Sequence, residues 1–342
     1  MKNWLHRLIA PLRSPAEPAA AAARSHAPAA VARAETAAAI DVGGIDTALF
    51  AWLVRQDVDL RMPMGAREQQ ALLQLDGLAA AANPQGTLLP RTAAIVPRLL
   101  AQLRGPASSL SALSLQVSGD VTLVAEVIRM ANSAGSRHKG AVVDLEQAIR
   151  VLGIDGLRFA IAKAVLKPVM DGRGGELSAR AARRLWQHTD CKAQLTALLA
   201  RSEGLDPFDG YLLGLVHNAV WSTVLRTLDG VPPGAAPWRF GADFVQALGT
   251  RRDRLFGVVA RQWQLTDELT RVAAEVAQRG LAADGSSAPV RLLQVGDRLA
   301  SILCAHDGAR ASTLAEPLLI ALPARVRDAY LALAQAPHAA NP

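Results

Sequence analysis

Apolar side chains recur at helical spacing through most of the chain, and nowhere do they alternate with period two for long enough to make a strand. Val124, Val127, Ile128 and Ala131 fall at i, i+3, i+4 and i+7 and so line one face of a helix; Leu145, Ala148, Ile149 and Leu152 repeat the template. Asp144 stands three positions before Gln147, a spacing that satisfies the free amides of a helix start, and Gly153 is placed to end the same helix. The pattern predicts another helix over 154–170. Asp171-Gly172-Arg173-Gly174-Gly175 then makes a flexible loop, and with no strand before it its glycines form no phosphate cradle. Two long helices occupy 177–202 and 206–228, the second opening with Asp206 as cap and Pro207 at the first helical position, and Val231-Pro232-Pro233-Gly234 ends it. Further helices are predicted over 242–263, over 267–279 behind a Thr266 cap, over 290–303 and over 314–333.

Ahead of this array the chemistry changes. Residues 14–39 are Pro, Ala, Arg and Ser with hardly a large apolar side chain, so ordering them would cost entropy that no burial offsets, and 1–39 is expected to be a disordered tail. Within it, Trp4, Leu5, Leu8, Ile9 and Leu12 fall at helical spacing among basic neighbours, which predicts a short amphipathic helix at 1–12 able to make weak peripheral contact with a membrane. A helical extension follows over 40–85: Ile45, Leu49, Trp52 and Leu53 share one side, Met62-Pro63-Met64 breaks the chain, a second helix runs to Ala82, and Asn83-Pro84-Gln85-Gly86 ends the unit.

The chain has 342 residues and a mass of 36.1 kDa, room for two average domains or one large one. Apolar types make up 51% of it and aromatic types 4%, so the core is built from Leu, Val, Ile and Ala, which suits packed helices. The expected fold class is all-α. Net charge is +7, and all but five of the basic residues are Arg. That excess is too mild, and too bare of interleaved aromatics, to make nucleic acid an expected partner. Cys191 and Cys304 are far apart with no metal-ligand spacing, no cleavable signal or membrane span is evident, and the expected compartment is the cytoplasm.

Chemistry concentrates on three inward stripes. His188 lies with Leu185, Cys191, Leu195 and Leu198, His217 with Leu213, Val220 and Val224, and Asp297 between Leu293 and Ala300. Two imidazoles and a carboxylate meeting in a helical core suit a divalent metal that polarises a phosphate, although a core histidine is more commonly just hydrogen-bonded.

Several ordered motifs carry a family resemblance. The stretch opening at Leu89-Pro90, Ala131-Asn132-Ser133-Ala134, Asp144-Leu145-Glu146-Gln147-Ala148-Ile149 with Leu152-Gly153, Leu185-Trp186-Gln187-His188 and Gly214-Leu215-Val216-His217-Asn218 together resemble the HDOD domain, an all-helical bacterial relative of the HD metal-dependent phosphohydrolases. The resemblance implies a multi-helix bundle like that of the HD superfamily over 86–285, with the helices of 286–342 completing it. Active HD enzymes bind metal through a His, a His-Asp pair and a later Asp; the matching positions here are His188, His217 with Asn218, and Asp297. An amide oxygen at 218 is neutral and a much weaker ligand for a hard cation than a carboxylate. Where active relatives often continue with Ile-Gly-Lys, this chain has Ala219-Val220-Trp221, and the Trp221 indole would fill space that a substrate phosphate needs. No His-His-Glu cluster or Gly-Tyr-Pro motif of the cyclic-di-GMP phosphodiesterases follows Asn218.

The implied function is therefore a non-enzymatic signal-transduction module, with no catalytic residue, no bound metal and no cofactor, whose partners are other signalling proteins. Residues 137–201 hold twelve basic side chains against six acidic ones. Arg137, Lys139, Arg158, Lys163, Lys167, Arg180, Arg183 and Arg184 are the candidate docking surface for an acidic partner or a small anionic nucleotide. The alternative is a degenerate phosphohydrolase acting on a nucleotide or phosphate ester, with one metal on His188, His217 and Asp297 and Asn218 as a weak fourth ligand.

Overall fold

The computed structural model describes residues 42–81, 114, 117–119, 121–134, 141–232 and 238–335. The tail expected over 1–39 with its helix at 1–12, and the stretch opening at Leu89-Pro90, lie outside the described residues. Among the described residues the chain is almost wholly helical: α1 Val42–Val54, α2 Ala66–Ala80, α3 Val121–Ala134, α4 Leu145–Leu166, α5 Glu176–Ser202, α6 Pro207–Gly230, α7 Ala242–Trp263, α8 Asp267–Arg279, α9 Ala288–Ala305, α10 Gly308–Ile320 and α11 Ala324–Gln335.

Local signals set several helix starts. Asp144 accepts from Gln147 N at 2.7 Å while the Gln147 side chain accepts from Val143 N at 3.4 Å. Asp206 accepts from Phe208 N at 2.8 Å ahead of Pro207, and Thr266 accepts from Leu269 N at 2.8 Å. Gly153, with φ +68°, breaks α4 after its second turn in a conformation that only glycine adopts freely, so the stripe ending at Leu152 and the helix that follows are two straight pieces. Asn132 spans from α3 to the chain before α4: its Nδ2 donates to Val142 O at 2.8 Å and its Oδ1 accepts from Val142 N at 2.7 Å, which pairs that backbone as a neighbouring strand would.

Helices α5 and α6 form the antiparallel centre. Gly214 and Gly210 allow their close approach: a Cβ at Gly214 would lie 2.6 Å from Ala193 Cα, and one at Gly210 2.6 Å from Thr196 O. Helix α6 is buried on every side from Gly210 to Leu225, the condition of a helix enclosed by neighbours rather than lying at a surface. Asp229 near its C-terminus accepts from Leu177 N and Ser178 N, both at 2.9 Å, so the end of α6 caps the start of α5. Helix α9 crosses α5 where Gly296 abuts Thr196, and α1 packs on α5, α7 and α9.

The all-α class holds, with one small addition and one corrected helix. A short parallel ladder, β1 (Val58–Asp59) with β2 (Phe240–Gly241), joins the turn after α1 to the entry of α7. These segments are too short to register as a pattern, and the aromatic stack of Trp238, Phe240 and Phe244 with Phe50 holds them together. The helix expected over 314–333 is two helices, α10 and α11, turning at Leu322-Pro323 because Pro323 cannot continue the α10 hydrogen-bond ladder. Tyr330 is buried between them and donates to Ala311 O at 3.2 Å.

Candidate functional site

The residues singled out in the sequence meet where α5, α6, α7 and α9 cross. Helix α5 supplies His188, Thr189 and Lys192, one turn apart on its inward face, and α6 supplies His217 and Asn218. Helix α7 contributes Arg252 and Asp253, and α9 contributes Asp297 and Ser301. All nine are buried.

At the centre is the ammonium of Lys192, 0% exposed, which donates to His217 Nδ1 at 2.5 Å and pairs with Asp297 Oδ1 at 2.7 Å. An ammonium only donates and a carboxylate only accepts, so His217 carries its proton on Nε2 and presents it to Asp253 Oδ1 at 3.2 Å. Arg252 donates to that same Asp253 oxygen from Nε at 3.0 Å and Nη2 at 2.9 Å, while its Nη1 stands 3.7 Å from Asp297 Oδ2. Asp253 Oδ2 accepts from Leu281 N at 2.7 Å, tying the cluster to the loop after α8. His188 Nε2 lies 3.1 Å from Ser301 Oγ, and Asn218 Nδ2 donates to Thr189 Oγ1 at 2.7 Å.

Charge balances inside the cluster. Burial is the largest influence on both histidines, pushing His217 down to about 3 and His188 to about 4, so both rings are neutral. Burial also lowers Lys192 to about 8, against the opposing pull of Asp297, which leaves the amine protonated at neutral pH. For Asp297 burial acts upward, but Lys192 and then Arg252 outweigh it and hold the carboxyl far below the usual range. Two cations, Lys192 and Arg252, thus face two anions, Asp253 and Asp297.

A divalent metal of the HD type does not fit this arrangement. Among the described residues no three His, Cys, Asp or Glu side chains converge on one point. The point where His217 Nδ1 and Asp297 Oδ1 do converge is taken by the Lys192 ammonium, and a further two positive charges would have no counter-charge. Asn218 donates from its amide nitrogen to Thr189, and its carbonyl oxygen, the atom that could face a cation, is neutral.

A cleft of about 690 Å³ opens beside the cluster, bounded by the first turn of α1, by α7, α9 and the loop after α8. Arg252, Asp253 and Asp297 form part of its wall, with Asp46 of α1, whose carboxyl burial raises to about 6 against the pull of Arg252. Trp221 does not line the cleft; it is buried beneath the Arg252 guanidinium, 5.5 Å from it, and against Phe50.

The candidate docking residues are dispersed. Lys163 is buried and paired with Asp190 at 2.6 Å, and Arg184 donates to Trp52 O at 2.7 Å while its guanidinium lies over the Trp52 ring. Arg180 bonds to Glu176 and to Val54 O, and Arg158 pairs with Asp155 at 3.6 Å. Lys167 and Arg183 are exposed, and Arg137 and Lys139 lie outside the described residues. Sequence reasoning counted Lys192 only as one basic residue of this stretch and did not single out Arg252, Asp253 or Ser301. Spacing carried a signal for two of them. Lys192 is four residues after His188, and Arg252 stands in the apolar register of Leu248, Leu255 and Phe256, so each is a charge on a buried stripe that must find a partner.

Comparison with known proteins agrees with the fold. The HDOD domain model matches residues 89–278, more than half of the chain. An uncharacterized protein of Treponema pallidum (strain Nichols) is 23% identical over 177 residues, 51% of this chain but only 34% of that protein, so the chain spans about a third of its relative's length. Two crystal structures from Shewanella amazonensis SB2B share the fold. One, named provisionally as a phosphohydrolase, is 20% identical with a TM-score of 0.51 over 77% of this chain and 93% of the other. The second, named provisionally as a metal-dependent phosphohydrolase, is 15% identical with a TM-score of 0.52 over 79% and 99%.

Proposed function

The chain belongs to the HDOD domain family, and from that premise we propose that it is a non-enzymatic regulatory protein whose helical core relays a signal through contacts with other proteins. The observation that carries this reading is that the four positions matching the HD ligands are each bonded to neighbouring protein groups. His188 is committed to Ser301, His217 to Lys192 and Asp253, Asn218 to Thr189, and Asp297 to Lys192. Among the described residues no three imidazole or carboxylate donors are left converging on one point, as a metal that polarises a phosphate would need. The folded shape can still present helix faces to a partner. Signalling proteins are the proposed partners, the cytoplasm the proposed compartment, and the exposed Lys167 and Arg183 the part of the basic stretch open to an acidic surface.

A second reading, a metal-dependent phosphohydrolase with a degenerate site, draws support from the open cleft against Arg252, Asp253 and Asp297. One assay separates the two. The pure chain is incubated with a phosphomonoester, a phosphodiester and nucleoside triphosphates in the presence of manganese or zinc. The regulatory reading expects no turnover above the protein-free rate. Hydrolysis that chelation abolishes, and that disappears in Asp297→Asn, would establish the enzyme instead.

A further inference from the structure

The hydrogen bonds around His217 are those of a metal-bound imidazole. One ring nitrogen donates to a carboxylate, Asp253, which fixes the ring's rotation and tautomer; the other turns its lone pair toward a cation that also contacts a second carboxylate, Asp297. In metalloproteins this carboxylate–histidine–cation order orients the ligand and raises its basicity. Here the cation is the end of a side chain.

We propose that Lys192 is the resident cation of this cluster, an internal ammonium in the place a metal ion would take between His217 and Asp297, so that the native fold is complete without metal and truncation of Lys192 uncovers a zinc site on those two residues. Three observations support it. The ammonium is 2.5 Å from His217 Nδ1 and 2.7 Å from Asp297 Oδ1. Zinc bonds to the same atom types are about 2.0–2.2 Å, so each ligand needs to move by only about half an ångström. Lys192 lies one turn after His188 on α5, and its four-carbon stem brings the charge to α6 and α9 without any chain rearrangement. Arg252 already engages the Asp253 oxygen facing His217, so the outer carboxylate stays in place when the ammonium is removed. The bonding balance is simple: zinc replaces the ammonium as acceptor of the His217 and Asp297 lone pairs, and water completes its coordination.

The inference deepens the non-enzymatic reading and rests on it. The test uses the full chain as wild type, Lys192→Ala and Lys192→Ala/His217→Ala, each incubated with excess zinc chloride and desalted. Metal is then counted by mass spectrometry and melting followed by circular dichroism. Wild type is expected to retain well under one equivalent and to melt at the same temperature with or without EDTA. Lys192→Ala is expected to retain about one equivalent and to melt higher with zinc than without, and the double variant to lose both effects. If Lys192→Ala fails to fold alone, zinc present during refolding must restore its helical signal. An equivalent of metal in wild type whose removal by EDTA lowers its melting temperature would overturn the proposal. So would a Lys192→Ala chain that binds no more zinc than wild type, or one that zinc does not help to fold. The two readings fail separately: phosphoester turnover by wild type that survives exhaustive chelation would end the non-enzymatic reading and leave the internal cation standing, whereas an inert wild type that holds metal tightly would do the reverse.

Discussion

Replacing Gly214 by Ala tests the contact on which the whole cluster depends. In an exposed helix the change would stabilise, because Ala exceeds Gly by about 1 kcal/mol in helix propensity. Here the added Cβ would lie 2.6 Å from Ala193 Cα, 2.7 Å from Thr196 Oγ1 and 2.9 Å from Ala193 N. Two of these three atoms are backbone and cannot rotate away, so α6 must move off α5 by about an ångström, loosening its seam along Leu213, His217 and Val220 as it does. Overpacking of this kind costs about 1–3 kcal/mol, and a backbone neighbour puts it at the upper end, so the net expectation is a loss of about 1–2 kcal/mol after the propensity gain. Gly249, inside α7, provides the control: a Cβ there meets nothing within 4 Å, so Gly249→Ala is expected to gain about 0.5–1 kcal/mol. Urea unfolding followed at 222 nm gives both midpoints, with the slopes checked for constancy. If Gly214→Ala proves as stable as wild type while Gly249→Ala behaves as expected, the close approach of α5 and α6 is wrong, and with it the placement of His217 against Lys192.

The remaining expectations are read the same way. Val127 and Ile149 are 0% and 4% exposed, and truncating either to Ala should cost about 2–4 kcal/mol in urea unfolding; unchanged midpoints would mean that these faces are not core. Asn132→Ala strips Val142 of both backbone partners, and a loss of about 1–3 kcal/mol with faster amide exchange at Val142 is expected, whereas unaltered exchange would refute the clasp. Stability should fall between pH 7 and pH 5. Unfolded histidines protonate near 6.5 while His188 and His217 stay neutral down to about 4 and 3, so the unfolded state binds the extra protons. Each contributes a loss of about 2 kcal/mol by pH 5, and Asp46, raised to about 6, binds its proton in the folded state first and returns about 1 kcal/mol, for a net loss of about 2–3. A flat urea midpoint across that range would show that the imidazoles are not buried neutral.

Much of the fold was legible in the chain because helix starts are local. Asp144 with Gln147, Asp206 with Pro207, and Thr266 each act over two or three residues, and the structure places each cap at the position expected. Stripes such as Leu145 to Leu152 read correctly for the same reason, since helical periodicity is a property of one segment. The ladder of Val58 with Phe240 had no such signal: two residues make no period, and their pairing spans a long sequence separation. The Leu322-Pro323 turn was only half legible, because Pro317 and Pro323 both interrupt the pattern and the helix continues through the first and ends before the second.

The amino-acid sequence by itself determined the helical class, the inward positions of His188, His217 and Asp297, and the neutral amide at 218. Only the tertiary structure decided what those side chains bond to. Lys192 reads in one dimension as a surface charge among eleven others, and becomes the centre of the cluster because the glycine contacts at 210, 214 and 296 bring α5 against α6 and α9 closely enough for one ammonium to reach both His217 and Asp297. A buried charge takes the partner that the crossing helices supply, and a helix crossing is set by packing between distant segments, which no local pattern records.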